Sequence, residues 1–132
     1  MAHLATVDAR NCPHVVPVCF ATDGSAFYTA IDHKPKQVRP QKLARVRNIK
    51  ANPIVALLVD HYSEDWNRLW YILVRGKARL LPQSARAERG RAIRLLKAKY
   101  PQYARSMLPG DAPLLRIEPE RIVSWAAGRR DS

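Results

Sequence analysis

Cysteine is scarce: Cys12 and Cys19 are the two in 132 residues. They form no CxxC pair and no Cys/His box, so neither a disulfide framework nor a zinc site organises the chain. Cys19 sits in an apolar run and reads as a small core residue, which suits a reducing, cytoplasmic setting. Long apolar runs are also missing. None approaches the roughly 18 residues a membrane helix needs, and Met1 to Thr6 lacks the charged and apolar regions of a secretory signal. There is no GxSxG and no HExxH. The four histidines, His3, His14, His33 and His61, are scattered, so no metal is expected. A chain without such sets performs hard chemistry only through a cofactor.

Acidic residues are few as well. Lys and Arg number 23 against 11 Asp and Glu, a net charge of +12. That balance favours an anionic partner. Nucleic acid is disfavoured, because zinc spacing, aromatic RNA-binding motifs and a helix-turn-helix are all absent. A membrane surface is disfavoured, because the apolar stripe of the second helix is needed as core. The length suits a single domain spanning 1–132.

The first third reads as strands: Leu4 to Val7, His14 to Ala21 and Ala26 to Ile31. Pro17 places the second at an edge or bulge, and Asp23-Gly24 marks a hairpin. A polar loop from Asp32 to Pro40 leads to a helix from Gln41 to Ala51, with Leu43, Val46 and Ile49 as its buried stripe. Pro53 ends it. The continuous apolar run Ile54 to Val59 predicts a strand buried on both sides. After the loop Asp60 to Asn67 comes a long strand, Arg68 to Leu81, with Gly76 as a bulge. Ser84 is the expected N-cap of a helix to Tyr103, in which Ile93, Leu96, Tyr100 and Tyr103 share a stripe and Pro101 breaks or kinks the end. Leu114 to Ile117 and Ile122 to Ala126 close the fold. This order predicts a mainly antiparallel barrel of six to seven strands with two main helices.

Lys34, Lys36, Arg39, Lys42, Arg45, Arg47 and Lys50 fall within seventeen residues free of Asp and Glu. Such a stretch grips phosphate through bidentate Arg and mobile Lys, aided by a helix N-terminus; a solvated basic helix face is the other reading.

Several segments in order carry a resemblance: Pro13-His-Val-Val-Pro-Val18, Phe27-Tyr-Thr-Ala-Ile-Asp32, Lys42-Leu-Ala-Arg-Val-Arg-Asn-Ile49, Asn52-Pro53, Trp70-Tyr71, Gly76-Lys-Ala-Arg79 and Ile117 to Trp125. Together they resemble the pyridoxamine-phosphate-oxidase-like split β-barrel superfamily, and within it the actinobacterial enzymes that use the deazaflavin coenzyme F420. The resemblance implies a homodimer with two interfacial cofactor sites and hydride transfer from reduced F420 to a small organic acceptor, with no protein nucleophile. FMN in the same fold, or a non-catalytic flavin- or haem-binding protein, are the alternatives. It implies that Pro17, Val18 and Cys19 line the ring system. Tyr28, Thr29 and Ala30 contact ring or linker. Lys42, Arg45, Arg47 and Asn48 hold the phosphate. Trp70 and Tyr71 enter from the long strand, and Trp125 closes the pocket from the partner subunit. Relatives carry a helix before the first strand, where this chain has Met1 almost on the strand.

Overall fold

The computed structural model describes residues 1–31, 44–103 and 108–128. Its elements run β1 (Ala2–Val7), β2 (Pro13–Val18), β3 (Ala21–Thr22), β4 (Phe27–Ala30), α1 (Ala44–Ala51), β5 (Ile54–His61), β6 (Trp70–Leu80), α2 (Arg86–Lys99) and β7 (Leu114–Ala126). Every strand pairing is antiparallel, in one sheet of order β2-β1-β5-β6-β7-β4-β3. β2 and β3 occupy opposite edges, yet three residue steps separate Val18 from Ala21. Three extended steps span about 11 Å at most. The sheet therefore curls until its edges nearly meet, which is the expected half-open barrel.

The expected strand His14 to Ala21 thus splits at Cys19-Phe20, where the chain leaves one edge for the other. Pro17 does lie on an edge strand. Between β3 and β4, Asp23 Oδ1 accepts the amides of Ser25 (2.8 Å) and Ala26 (2.9 Å), and Gly24 turns at φ 91°. Glycine adopts that φ without strain.

The two closing strands expected near the C-terminus are one strand, β7. Its register against β6 jumps from Arg75↔Arg121 to Gly76↔Pro119, leaving Glu120 as the extra residue. Gly76 is needed because β7 crosses closely there: a Cβ would overlap the Glu118 carbonyl oxygen. β5 alternates rather than being buried on both sides. Val55 and Leu57 point inward, while Ile54 is 57% exposed. Among the described residues no second layer covers the outer face of β5 and β6, so a run that is apolar on both faces leaves one bare.

Inside the curl, Leu4, Leu57, Val74, Leu115 and Ile117 pack with Val46 and Ile49 of α1. Burying each such side chain contributes roughly 1.5–3 kcal/mol. A second cluster joins β4 to α2 through Tyr28, Ala92, Leu96, Leu108 and Leu114. The N-cap of α2 is Ala85 rather than the expected Ser84, and it makes no side-chain cap. Tyr100 leaves the helix with extended φ and ψ of −120° and 107°, as a residue before proline does. Arg89, 3% exposed, donates to the carbonyls of Gly110 (3.4 Å) and Ala112 (2.5 Å), tying α2 to the segment before β7. The loop expected over Asp32 to Pro40, and Gln41 to Leu43 of the first helix, lie outside the described residues.

Candidate cofactor site

Of the basic stretch, Lys34, Lys36, Arg39 and Lys42 lie outside the described residues, while Arg45, Arg47 and Lys50 stand on α1. Arg47 and Lys50, three apart, share the exposed side of the helix, and α1 contains no acid. Asn48 points the other way. It is 6% exposed, and its Nδ2 donates to the buried Thr6 Oγ1 at 3.0 Å. Its side chain anchors α1 to β1, although the resemblance assigned it to the phosphate.

β4 sorts its three expected residues by alternation. Tyr28 and Ala30 join the α2 cluster. Thr29, paired with Leu115, takes the other side, that of Val46 and Ile49. It is 1% exposed, and its Oγ1 has no hydrogen-bond partner among the described residues. An unsatisfied buried hydroxyl costs about 1–3 kcal/mol. The Thr29 hydroxyl thus stands on the side of the sheet that α1 covers with Val46 and Ile49, while the α1 cations Arg47 and Lys50 lie on the helix's exposed side.

The Tyr28 ring is fully buried, and its hydroxyl donates to Glu88 Oε2 at 2.6 Å. Asp23 Oδ2 lies 3.3 Å from the same hydroxyl. One proton serves one strong bond, and the shorter contact takes it. Arg116 Nε donates to Glu88 Oε2 at 2.7 Å, and Arg91 Nε to Asp23 Oδ2 at 3.2 Å. The Ala26 and Ser25 amides, then Arg91, pull the Asp23 carboxyl down to about 2. The Tyr28 hydroxyl, then Arg116, holds Glu88 below the usual carboxylate range. Burial, then Glu88, raises the Tyr28 hydroxyl. This network locks β4 to α2.

Pro17 is exposed on the outer face, Val18 is buried, and Cys19 is half-buried in the crossing to β3. The end of α2 braces that crossing. The Phe20 amide donates to the Tyr100 hydroxyl (3.1 Å), and Lys99 Nζ donates to the Phe20 carbonyl (3.0 Å) while sitting 3.2 Å above its ring. Burial pushes Lys99 down from its ordinary pKa.

Trp70, Tyr71 and Trp125 do come together, at the far end of β6 and β7, but on two faces. Trp70 stacks on His61 with centroids 6.1 Å apart on one face, and Tyr71 on Trp125 at 6.0 Å on the other. Both pairs border a groove of about 770 Å³ that also includes Arg68, Ile72 and Ser124, within the range of small-molecule sites. A second groove of about 410 Å³ meets Leu58, Asp60 and Tyr62 together with the same four aromatic residues, His61, Trp70, Tyr71 and Trp125. Asp65 caps the 3₁₀ turn Trp66–Arg68 by accepting from the Asn67 amide (3.1 Å), and the Ala127 amide donates to the Leu69 carbonyl (2.9 Å), fixing the rim. All three tryptophans are exposed here, Trp66 at 70%, Trp70 at 38% and Trp125 at 48%. Sequence reasoning missed His61, Arg68 and Ser124. His61 is visible only through its register with Trp70.

The expected residues therefore form two groups. α1 ends beside Ala78, whose amide donates to the Pro53 carbonyl at 2.8 Å. Tyr71 lies seven residues up β6, roughly 23 Å away at strand rise.

The pattern of the pyridoxamine 5′-phosphate oxidase family matches residues 1–126. The chain belongs to that family. Among its relatives, the 5a,11a-dehydrotetracycline/5a,11a-dehydrooxytetracycline reductase of Streptomyces rimosus is 32% identical over 126 residues, 92% of this chain and 71% of that one. A solved F420 reductase superposes with a TM-score of 0.63 at 26% identity, covering 92% of this chain and 87% of the other. The heme storage protein of Vibrio cholerae superposes at 0.71 with 18% identity, over 96% and 85% of the two chains, a likeness of fold alone. Among the described residues of this family member, no three His, Cys, Asp or Glu converge as a metal site, and no helix is long and apolar enough to cross a membrane.

Proposed function

We propose that this protein is an oxidoreductase that binds reduced coenzyme F420 and passes hydride to a small organic acceptor. The observation that carries the proposal is the 32% identity, over nearly the whole chain, to a protein named as a reductase. The likeness to an F420 reductase and the +12 charge, which suits the anionic tail of F420, favour that cofactor over FMN.

When bound, the cofactor supplies the hydride, and the chain supplies position. Arg45, Arg47 and Lys42 would hold the phosphate, with Thr29 Oγ1 as a hydrogen-bond partner. The aromatic end at Trp70, Tyr71 and Trp125 would exclude water from the ring and acceptor. Because α1 and the aromatic end stand roughly 23 Å apart along β6, one site draws its aromatic wall from a second copy, and the working unit is a homodimer.

The test is anaerobic mixing of reduced F420 with the protein and a panel of conjugated enones and quinones, followed by F420 absorbance. Protein-dependent reoxidation with at least one acceptor supports the reading. Turnover with reduced FMN alone assigns the cofactor to FMN, and no turnover with either leaves a binding protein of the same fold.

A further inference from the structure

The larger groove at the aromatic end combines flat walls with a single fixed charge. Trp70 lies on His61 with the rings 18° from parallel, and Tyr71 on Trp125 at 28°. Trp70, Tyr71 and Trp125 are exposed, so part of their ring surface is open to a ligand. Among the described residues that line the groove, Arg68 is the one permanent charge, and there is no Asp or Glu. The 3₁₀ turn holds the Arg68 backbone, its amide donating to the Asp65 carbonyl at 3.0 Å. The Asp65 carboxylate is already engaged by the Asn67 amide. Among the described residues no ion pair or side-chain hydrogen bond engages the Arg68 guanidinium or the Ser124 hydroxyl. The adjoining smaller groove shares the aromatic residues but carries Asp60 in place of Arg68.

Resting on the hydride-transfer reading above, we infer that the larger groove binds the acceptor, that the acceptor is a flat, conjugated, multi-ring molecule bearing an anionic oxygen, and that Arg68 selects that charge. A volume of about 770 Å³ suits a drug-sized ligand rather than a single ring. Near-parallel rings favour a flat partner stacked offset against them. Aromatic faces alone attract a cation, but Arg68 in the same groove repels one, and no carboxylate in the lining offsets it. An anionic oxygen instead meets the planar donors of a guanidinium, and the Ser124 hydroxyl adds a neutral donor. Asp60 turns the same charge away from the smaller groove, so the anionic edge of the acceptor faces Arg68. Hydride chemistry gives the cation a second use. Hydride adding to the β-carbon of a conjugated carbonyl forms a C–H bond and sends the C=C electron pair to the carbonyl oxygen as an enolate, which water protonates. In an acceptor that is already anionic this step adds a second negative charge, and a guanidinium held beside it lowers the barrier.

Isothermal titration of the full chain with anthraquinone carboxylate, its neutral hydroxymethyl analogue and benzoate tests this. The anthraquinone carboxylate is expected to bind saturably. The other two are expected to bind about tenfold more weakly or worse, one lacking the charge-assisted hydrogen bond and the other the stacking area. Arg68→Gln is expected to bring the carboxylate down to the affinity of the neutral analogue, and Arg68→Lys to retain most of the difference. Circular dichroism establishes that both variants are folded. Saturating F420 is expected to leave the carboxylate's affinity unchanged within about threefold, because separate subsites without coupling do not alter each other's affinity. Equal affinity for the carboxylate and either other probe, no saturable binding, or indifference to Arg68→Gln overturns the inference. Displacement by F420 gives the groove to the cofactor and overturns it as well. Turnover of the enone and quinone panel is read separately. Turnover together with binding that ignores Arg68 leaves the proposed activity standing and overturns this site. Charge-selective binding without turnover of any acceptor overturns the activity and leaves a site for flat anions.

Discussion

Replacing Tyr28 with Phe separates a structural tyrosine from a cofactor-binding one. The ring is fully buried between β4 and α2, and phenylalanine keeps its shape. The loss is the 2.6 Å bond to Glu88. Hydrogen bonds to charged groups are worth about 1.5–3 kcal/mol, and the lower half applies because Glu88 retains Arg116 at 2.7 Å. A loss of about 1.5–2 kcal/mol lowers Tm by roughly 5–8 °C in a domain of this size. Glu88 also loses the largest influence holding its carboxyl down, so its pKa rises in the variant. Circular dichroism melts at pH 7 measure the first effect, and a fluorescence titration with F420 measures affinity in parallel. The expected result is a lower Tm with affinity unchanged within about twofold. An unchanged Tm with affinity lost tenfold refutes the reasoning and puts the hydroxyl in the cofactor site.

Other perturbations report on other parts of the molecule. Thr29→Val removes the orphaned hydroxyl at constant shape; stability by chemical denaturation is expected to hold or rise, while F420 affinity falls about tenfold or more, the value of a charge-assisted hydrogen bond. Gly76→Ala pushes a methyl into the Glu118 carbonyl, and denaturant melts are expected to show a loss of about 3 kcal/mol, the upper range for overpacking. Asp23 and Glu88 have folded pKa values below their unfolded ones, so their stabilisation is full above about pH 5 and declines as pH falls toward 2. Melts across that window are expected to show Tm dropping with acid, and Asp23→Asn to flatten part of the drop.

The fold was readable because its signals are local. Short apolar and β-rich runs mark β1 and β6, Asp23-Gly24 marks the hairpin, and Pro53 marks the end of α1. What escaped depends on partners distant in sequence. The strand expected through Ala21 breaks because Cys19-Phe20 must cross between sheet edges, and its brace, Tyr100 and Lys99, comes 80 residues later. β5 looked buried on both sides because its outer face is apolar, as suits a surface awaiting cover. Within the site, the resemblance named Trp70, Tyr71 and Trp125, and register brings them together. It could not show that Trp70 and Tyr71 face opposite ways, that Asn48 bonds Thr6, or that the Tyr28 hydroxyl serves Glu88.

The cofactor itself is the most direct test. Titration of the purified protein with F420 and, side by side, with FMN, followed by cofactor fluorescence and by quenching of the three exposed tryptophans, reads affinity and place together. Saturable F420 binding at micromolar concentration or tighter, weaker FMN binding, and tryptophan quenching at the same midpoint are the expected outcome. Tighter FMN binding, or no saturable binding of either, contradicts an F420 site in this protein.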